Sequence, residues 1–239
     1  NSSFDVGDDA ICMKSGKNED GRARNIPTEN VIVENCVVYH GHGGFVVGSE
    51  MSGDVRNIKV SKCRFLGTDV GLRFKSTRGR GGVVENIHIQ DILMTDIPTD
   101  PLLFDLYYGG KGTTDDDYTE MQDTETVIPE VTIETPAFRN IFIKNIVSTN
   151  SNRAMFFNGL PEMRVENVVI ENSSFTSTIG AVINQASGVT MKNIKIEHKK
   201  GNILQIKNVD NGLFENITNF KGEKLPILKE GVNKDIIVK

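Results

Sequence analysis

Apolar and polar positions alternate along most of this chain in short runs, and the runs return at a near-constant interval. Asn30–Val38 reads NVIVENCVV, Asn57–Phe65 reads NIKVSKCRF and Asn86–Met94 reads NIHIQDILM. Asn140–Ile146 reads NIFIKNI, Asn167–Phe175 reads NVVIENSSF and Asn193–His198 reads NIKIEH, with a weaker copy at Asn216–Thr218. The leading asparagines are 27, 29, 54, 27 and 26 residues apart, and 54 is twice 27. Alternation with period two over a few residues is the pattern of a strand, and no helical period outlasts a turn or two. A second apolar run begins 14 residues after the asparagine in four copies, at Gly44–Val47, Gly71–Lys75, Ala154–Phe157 and Ala181–Asn184. Glycine, asparagine, aspartate and serine separate the runs, as turns require.

A period near 27 with two or three short strands per repeat predicts an all-β chain wound as a right-handed parallel β-helix. Equivalent residues then stack coil on coil about 4.8 Å apart. The repeating asparagine suits a turn position, where it tolerates left-handed backbone and can bond along a ladder. A β-sandwich, the alternative built of many short strands, has no reason to keep the period. Residues 1–239 are expected to form a single β-helix domain. The doubled interval holds one further strand within Leu102–Tyr108 and then a polar loop insertion at about 109–136, a kind of excursion that often borders a binding cleft. Asn1-Ser2-Ser3-Phe4 repeats Asn172-Ser173-Ser174-Phe175, so the chain starts inside a coil. An open coil end exposes unpaired backbone. The expectation is therefore a domain truncated at its N-terminal end, the C-terminal part of a longer protein.

The repeat also aligns polar residues. His42 lies 12 residues after Asn30, Asp69 lies 12 after Asn57, and by the Asn1/Asn172 match Asp8 takes the same place in its coil. The three are expected to form one column on successive coils. Lys14 and Lys75 share a second offset. Arg73 and Lys75, two apart on a strand, leave the same face and should lie on the order of 10 Å from Asp8. One face would then hold Asp8, Asp9, His42, Arg73 and Lys75. Two carboxylates across a glycosidic bond suffice for hydrolysis, one protonating the leaving oxygen and the other activating water. Close carboxylates resist joint ionisation, which predicts a raised pKa for the acid of the pair. Arg73 and Lys75 suit a sugar carboxylate, and His42 could orient or tune a carboxyl group. Gly41, Gly43 and Gly44 are read as leaving room for a ligand against the backbone. Taken singly, an Asp-Asp pair is more often a solvated turn and Arg-x-Lys a solvated face; the shared placement favours a site.

Composition narrows the partners. With 27 Lys and Arg against 32 Asp and Glu, the net charge of −5 gives no reason to expect nucleic acid or an anionic membrane. No apolar run reaches the roughly 18 residues of a membrane span. Three cysteines cannot all pair, and none has zinc-ligand spacing. Cys36 and Cys63 share an offset with Ile92, Ile146 and Ser173, which predicts stacked core residues, and Cys12 is read as core too. His40 and Lys14 are candidate substrate contacts, His40 because it precedes the Gly-His-Gly cluster and Lys14 because, at the offset of Lys75, it would line the cleft floor. His88 and His198 read as surface or structural. Arg78 and Arg80 either extend a cationic subsite or belong to a solvated glycine-rich turn. Tyr107 and Tyr108 could stack on a sugar, with one of them facing the core. Asp115 to Asp117 read as a solvated loop rather than a calcium site.

At Gly7-Asp8-Asp9, Gly41-His42-Gly43 and Arg73-Phe74-Lys75 the chain resembles the polygalacturonases, glycoside hydrolases of pectin with a right-handed β-helix. The three motifs stand in the family's order and at family-like spacing. The resemblance implies inverting hydrolysis of α-1,4-galacturonosidic bonds with Asp8 as general acid and Asp9 as base for water. It implies that His42 supports them and that Arg73 and Lys75 bind galacturonate carboxylates. No cofactor or metal is implied, and the expected partner is an acidic polysaccharide acted on by a monomer in a secreted or periplasmic setting. Gly43–Met51 looks most like bacterial exo-acting members. The family carries a further aspartate in an Asn-x-Asp motif roughly one short coil before Gly-Asp-Asp, a position that falls before Asn1. Rival readings are a calcium-dependent pectic lyase, a hydrolase of rhamnogalacturonan, and a non-catalytic pectin-binding β-helix.

Overall fold

The computed structural model describes residues 1–109 and 127–239. Every strand pairing among them is parallel. The chain winds as a right-handed parallel β-helix. One ladder runs from Ser2–Phe4 through Cys36–Val38, Val55–Leu66 and Val83–Ile97 to Ala137–Asn158. A second joins Asp9–Met13, Gly43–Gly48, Leu72–Lys75 and Leu102–Asp105 to the far end of Ala137–Asn158. Ser2 sits in register with Cys36, as the Asn1/Asn172 match requires.

The core is a set of columns. Val60, Ile89, Ile143, Ile170, Met191 and Phe214 stack in register, none more than 2% exposed. Below the second ladder Phe74 stacks on Phe104 at 4.6 Å, and Phe104 meets Phe157 at 4.4 Å between ring centres. Full burial of such side chains stabilises by roughly 1.5–3 kcal/mol each. Cys36 and Cys63 are buried, unpaired core residues, as their offset predicts.

The repeated asparagines mark a bend in each coil. Asn30, Asn57, Asn86, Asn140, Asn167, Asn193 and Asn216 all take left-handed backbone, with φ between 48° and 59°. Most L-residues pay roughly 1–2 kcal/mol there, and asparagine pays less. Their side chains also bond between coils: Asn57 donates to Asn30 at 3.4 Å, Asn167 to Asn140 at 2.7 Å and Asn216 to Asn193 at 3.0 Å. Asn57→Ala is therefore expected to lose about 1–2 kcal/mol in urea unfolding and Asn57→Gly less, because glycine keeps the backbone freedom. Equal losses would show that the side-chain ladder alone matters.

A short helix, Asn18–Arg24, packs on the outside of the early coils. Its Arg22 donates to the carbonyls of Gly79 and Arg80 at 2.7 and 3.0 Å and pairs with Glu134 at 2.9 Å. Glu134 in turn accepts the N–H groups of Gly79 and Gly81 on its backbone oxygen. The end of the predicted insertion is thus pinned beside the glycine-rich turn. Asp115 to Asp117 lie outside the described residues.

Candidate active site

The three polar clusters meet on one edge of the second ladder. The column predicted by offset exists: Asp9 is in register with Gly43, the His42 N–H donates to the Asp8 carbonyl at 3.0 Å, and the Asp69 N–H donates to the Gly41 carbonyl at 2.9 Å. Gly41 adopts φ +148°, and a Cβ there would stand 2.7 Å from the Asp8 carbonyl oxygen, so this close approach requires glycine.

Asp9 sits between the two cations. Its Oδ2 accepts from Lys75 Nζ at 2.7 Å and its Oδ1 from Arg73 Nη1 at 3.3 Å. The side chains are 8%, 6% and 3% exposed for Asp9, Lys75 and Arg73. Two cations and one carboxylate leave the cluster one positive charge in excess. Burial and the neighbouring Arg73 push the Lys75 ammonium below its usual range, while Asp9 pulls it back up. The Tyr108 ring lies against both cations, 4.9 Å from Lys75 Nζ and 5.5 Å from the Arg73 guanidinium carbon. Tyr107 packs on the core and under Arg78 instead.

Asp8 stands exposed beside this cluster. The Asp9 N–H donates to its Oδ1 at 2.7 Å. That bond holds the Asp8 carboxyl below the usual carboxylate range; slight burial opposes it, and His42, Lys75 and Lys14 add to the lowering. The expectation that closeness to Asp9 would raise the acid's pKa is thus corrected. Arg73 and Lys75 neutralise Asp9, so Asp8 faces a net positive cluster.

Other sequence candidates are placed differently from expectation. A Cβ on Gly43 would strike Val46 at 2.4 Å and crowd Asp9 and Arg73, and one on Gly44 would strike the Phe65 ring. Gly41, Gly43 and Gly44 therefore make room for the protein's own groups rather than for a ligand. His40 pairs with Asp5 at 2.8 Å on an exposed rim. Lys14 takes its predicted place across Gly48 from Lys75, where it bonds Glu50 at 2.8 Å and the Gly48 carbonyl at 3.4 Å. Arg78 is held in a fork by the buried carboxylate of Glu162 at 2.5 and 2.8 Å, and Arg80 bonds Asn18. Cys12 is not in the core. It shares the outward column of Val46 and Arg73, and its Sγ lies 3.5 Å from the Gly48 carbonyl and 3.9 Å from Asp9; burial raises its thiol pKa to about 11. His88 stacks on Phe142.

Sequence reasoning gave no role to Asp69, Glu50, Asp105 or Glu162. Asp69 carried the clearest signal, since it shares the offset of Asp8 and His42; its Oδ2 accepts from His42 Nδ1 at 2.6 Å. Asp105, in register with Lys75, is buried, and burial pushes its carboxyl up although the Tyr107 N–H, the Asn158 amide and Arg73 pull it down. Among the described residues no group of three or more His, Cys, Asp or Glu is arranged to hold a metal ion.

The model of glycosyl hydrolases family 28 matches residues 1–152, a span that contains Asp8, Asp9, His42, Arg73 and Lys75. The chain belongs to glycosyl hydrolases family 28. Over 220 residues it is 26% identical to an exo-poly-alpha-D-galacturonosidase of Dickeya chrysanthemi, covering 87% of this chain and 34% of that protein. Over 190 residues it is 29% identical to a polygalacturonase of Ralstonia solanacearum, covering 74% of this chain and 30% of that one. A hyperthermoactive exopolygalacturonase from Thermotoga maritima superposes with a TM-score of 0.68 at 27% identity, over 82% of this chain and 40% of that one. A family 28 exopolygalacturonase of Yersinia enterocolitica superposes at 0.70 over 88% of this chain and 36% of that one, and at 20% identity shows the shared fold. This family 28 chain thus spans about a third or less of the length of the curated relatives it matches.

Proposed function

We propose that the protein hydrolyses galacturonosidic bonds of polygalacturonate, with inversion at the anomeric carbon. The observation that carries the reading is an exposed carboxyl, Asp8, beside a buried Asp9–Arg73–Lys75 cluster with an excess positive charge. Such a cluster draws a sugar carboxylate into the cleft. Asp8 gives its proton to the glycosidic oxygen as the carbon–oxygen bond breaks. Water attacks the anomeric carbon from the other face and loses a proton to a carboxylate, for which Asp9 is the candidate. One water is consumed and two shorter sugars leave. In the free protein Asp8 favours its ionised form. Loss of water and arrival of a second carboxylate on substrate binding both raise it toward the protonated form that an acid needs.

The likeness to an exo-poly-alpha-D-galacturonosidase of Dickeya chrysanthemi and an exopolygalacturonase of Thermotoga maritima favours exo action, releasing sugars from chain ends. The same reading sets the protein in a secreted or periplasmic compartment, where a polysaccharide substrate is met. Among the described residues no helix is long and apolar enough to cross a membrane. The reading treats the protein as a monomer built on one β-helix domain.

The test is reducing-sugar release by the whole natural protein from polygalacturonate and tri-galacturonate in EDTA. Release with no unsaturated product is expected. An unsaturated product that needs calcium would identify a lyase, and binding without turnover would make the chain a pectin-binding module.

A further inference from the structure

Asp69 has no part in the two-carboxylate chemistry, yet it makes the closest side-chain contact to His42. The His42 Nδ1–H donates to Asp69 Oδ2 at 2.6 Å. That is short even for a charge-assisted bond. A carboxylate can only accept here, so the contact fixes both the tautomer and the plane of the ring. The ring's other nitrogen, Nε2, is left for a ligand. His42 is 47% exposed and Asp69 26%, so the ring stands at the cleft rim rather than in the core.

The Asp69 backbone is held by its own bonds: its N–H reaches the Gly41 carbonyl at 2.9 Å, and its carbonyl accepts from the Thr99 N–H at 3.2 Å and the Thr99 hydroxyl at 2.6 Å. Partly exposed ion pairs contribute little to stability. The His42 ring is close enough to Asp8 to lower its carboxyl pKa. Asp8, His42 and Asp69 thus stand in one column across three coils, with the His42 ring bonded to Asp69 and its backbone N–H to the Asp8 carbonyl.

Resting on the hydrolase reading above, we propose that Asp69 is a positioning residue: it holds His42 with Nδ1 protonated and Nε2 turned to the bound sugar beside Asp8. The role is specific to orientation, so it separates turnover from binding. In the whole natural protein, Asp69→Ala lowers kcat on tri-galacturonate about 10–100-fold, the usual cost of a misplaced catalytic group, with KM within about twofold. Asp69→Asn, whose Oδ1 still accepts from Nδ1, recovers part of kcat. Nitrogen-15 spectra show neutral His42 as the Nδ1–H tautomer in the wild type and as a mixture in Asp69→Ala. Urea unfolding midpoints of both variants stay at the wild-type value, which rules out a folding loss.

A cleaving wild type with unchanged kcat in Asp69→Ala overturns the proposal alone. So does a loss carried by KM, or a His42 tautomer that the substitution leaves unmoved. A wild type that binds tri-galacturonate without cleaving it removes the hydrolase reading, and this proposal with it.

Discussion

Asp8→Asn is expected to lower kcat on polygalacturonate by about 10²–10⁴-fold, the usual worth of a positioned acid, while binding stays within a few-fold. The asparagine amide keeps the size of the carboxyl and can still accept the Asp9 N–H that Asp8 Oδ1 accepts at 2.7 Å. What it cannot do is give a proton to a departing sugar oxygen. The substrate's carboxylate is left its attraction, because the excess positive charge resides on Arg73 and Lys75, not on Asp8. A kcat effect without a binding effect marks an interaction made only in the transition state. The measurement is steady-state kinetics beside calorimetric binding of tri-galacturonate. Wild-type turnover in Asp8→Asn would remove Asp8 from the chemistry.

Much of this arrangement can be read from the repeat. An asparagine every 27 residues or so marks a left-handed bend, and the seven leading asparagines all have positive φ. Offsets from those bends place Asp8, His42 and Asp69 in one column, as found. The same count also held the answer for Cys12: it shares the offset of Arg73, and Arg73 points outward between buried Leu72 and Phe74. Its place on the second strand of its coil suggested core, but strand parity decided. Pairing across the cleft was not readable. Offsets give the coil and the face of a side chain, not which neighbour it reaches. Asp9 bonds cations 64 and 66 residues away, while Arg78 is taken up by Glu162 and Lys14 by Glu50. The Asp8 expectation failed for the same reason. It weighed two carboxylates without the Asp9 N–H that bonds Asp8 and the two cations that neutralise Asp9.

Those cations set the largest expected effect on stability. Asp9→Asn should destabilise the fold by about 3–5 kcal/mol, the cost of stripping the partner from buried charge. It leaves the Lys75 ammonium and the Arg73 guanidinium, 6% and 3% exposed, without the carboxylate that bonds both. Their mutual repulsion already registers in the lowered pKa of Lys75, after burial itself. Lys75→Met should act in the opposite sense. It removes the ammonium that burial and Arg73 both disfavour and leaves Asp9 balanced by Arg73 alone. Its unfolding free energy should stay within about 1 kcal/mol of wild type, since Asp9 keeps Arg73 as a charged partner and no buried charge is left alone. Its activity at low substrate should fall, because the excess positive charge that meets the galacturonate carboxylate is gone, and KM for tri-galacturonate should rise about tenfold or more. Urea unfolding of both variants, followed by kinetics, separates the two effects. Equal destabilisation by Asp9→Asn and Lys75→Met would mean that the protein itself balances the cluster, leaving no charge to recognise an acidic sugar.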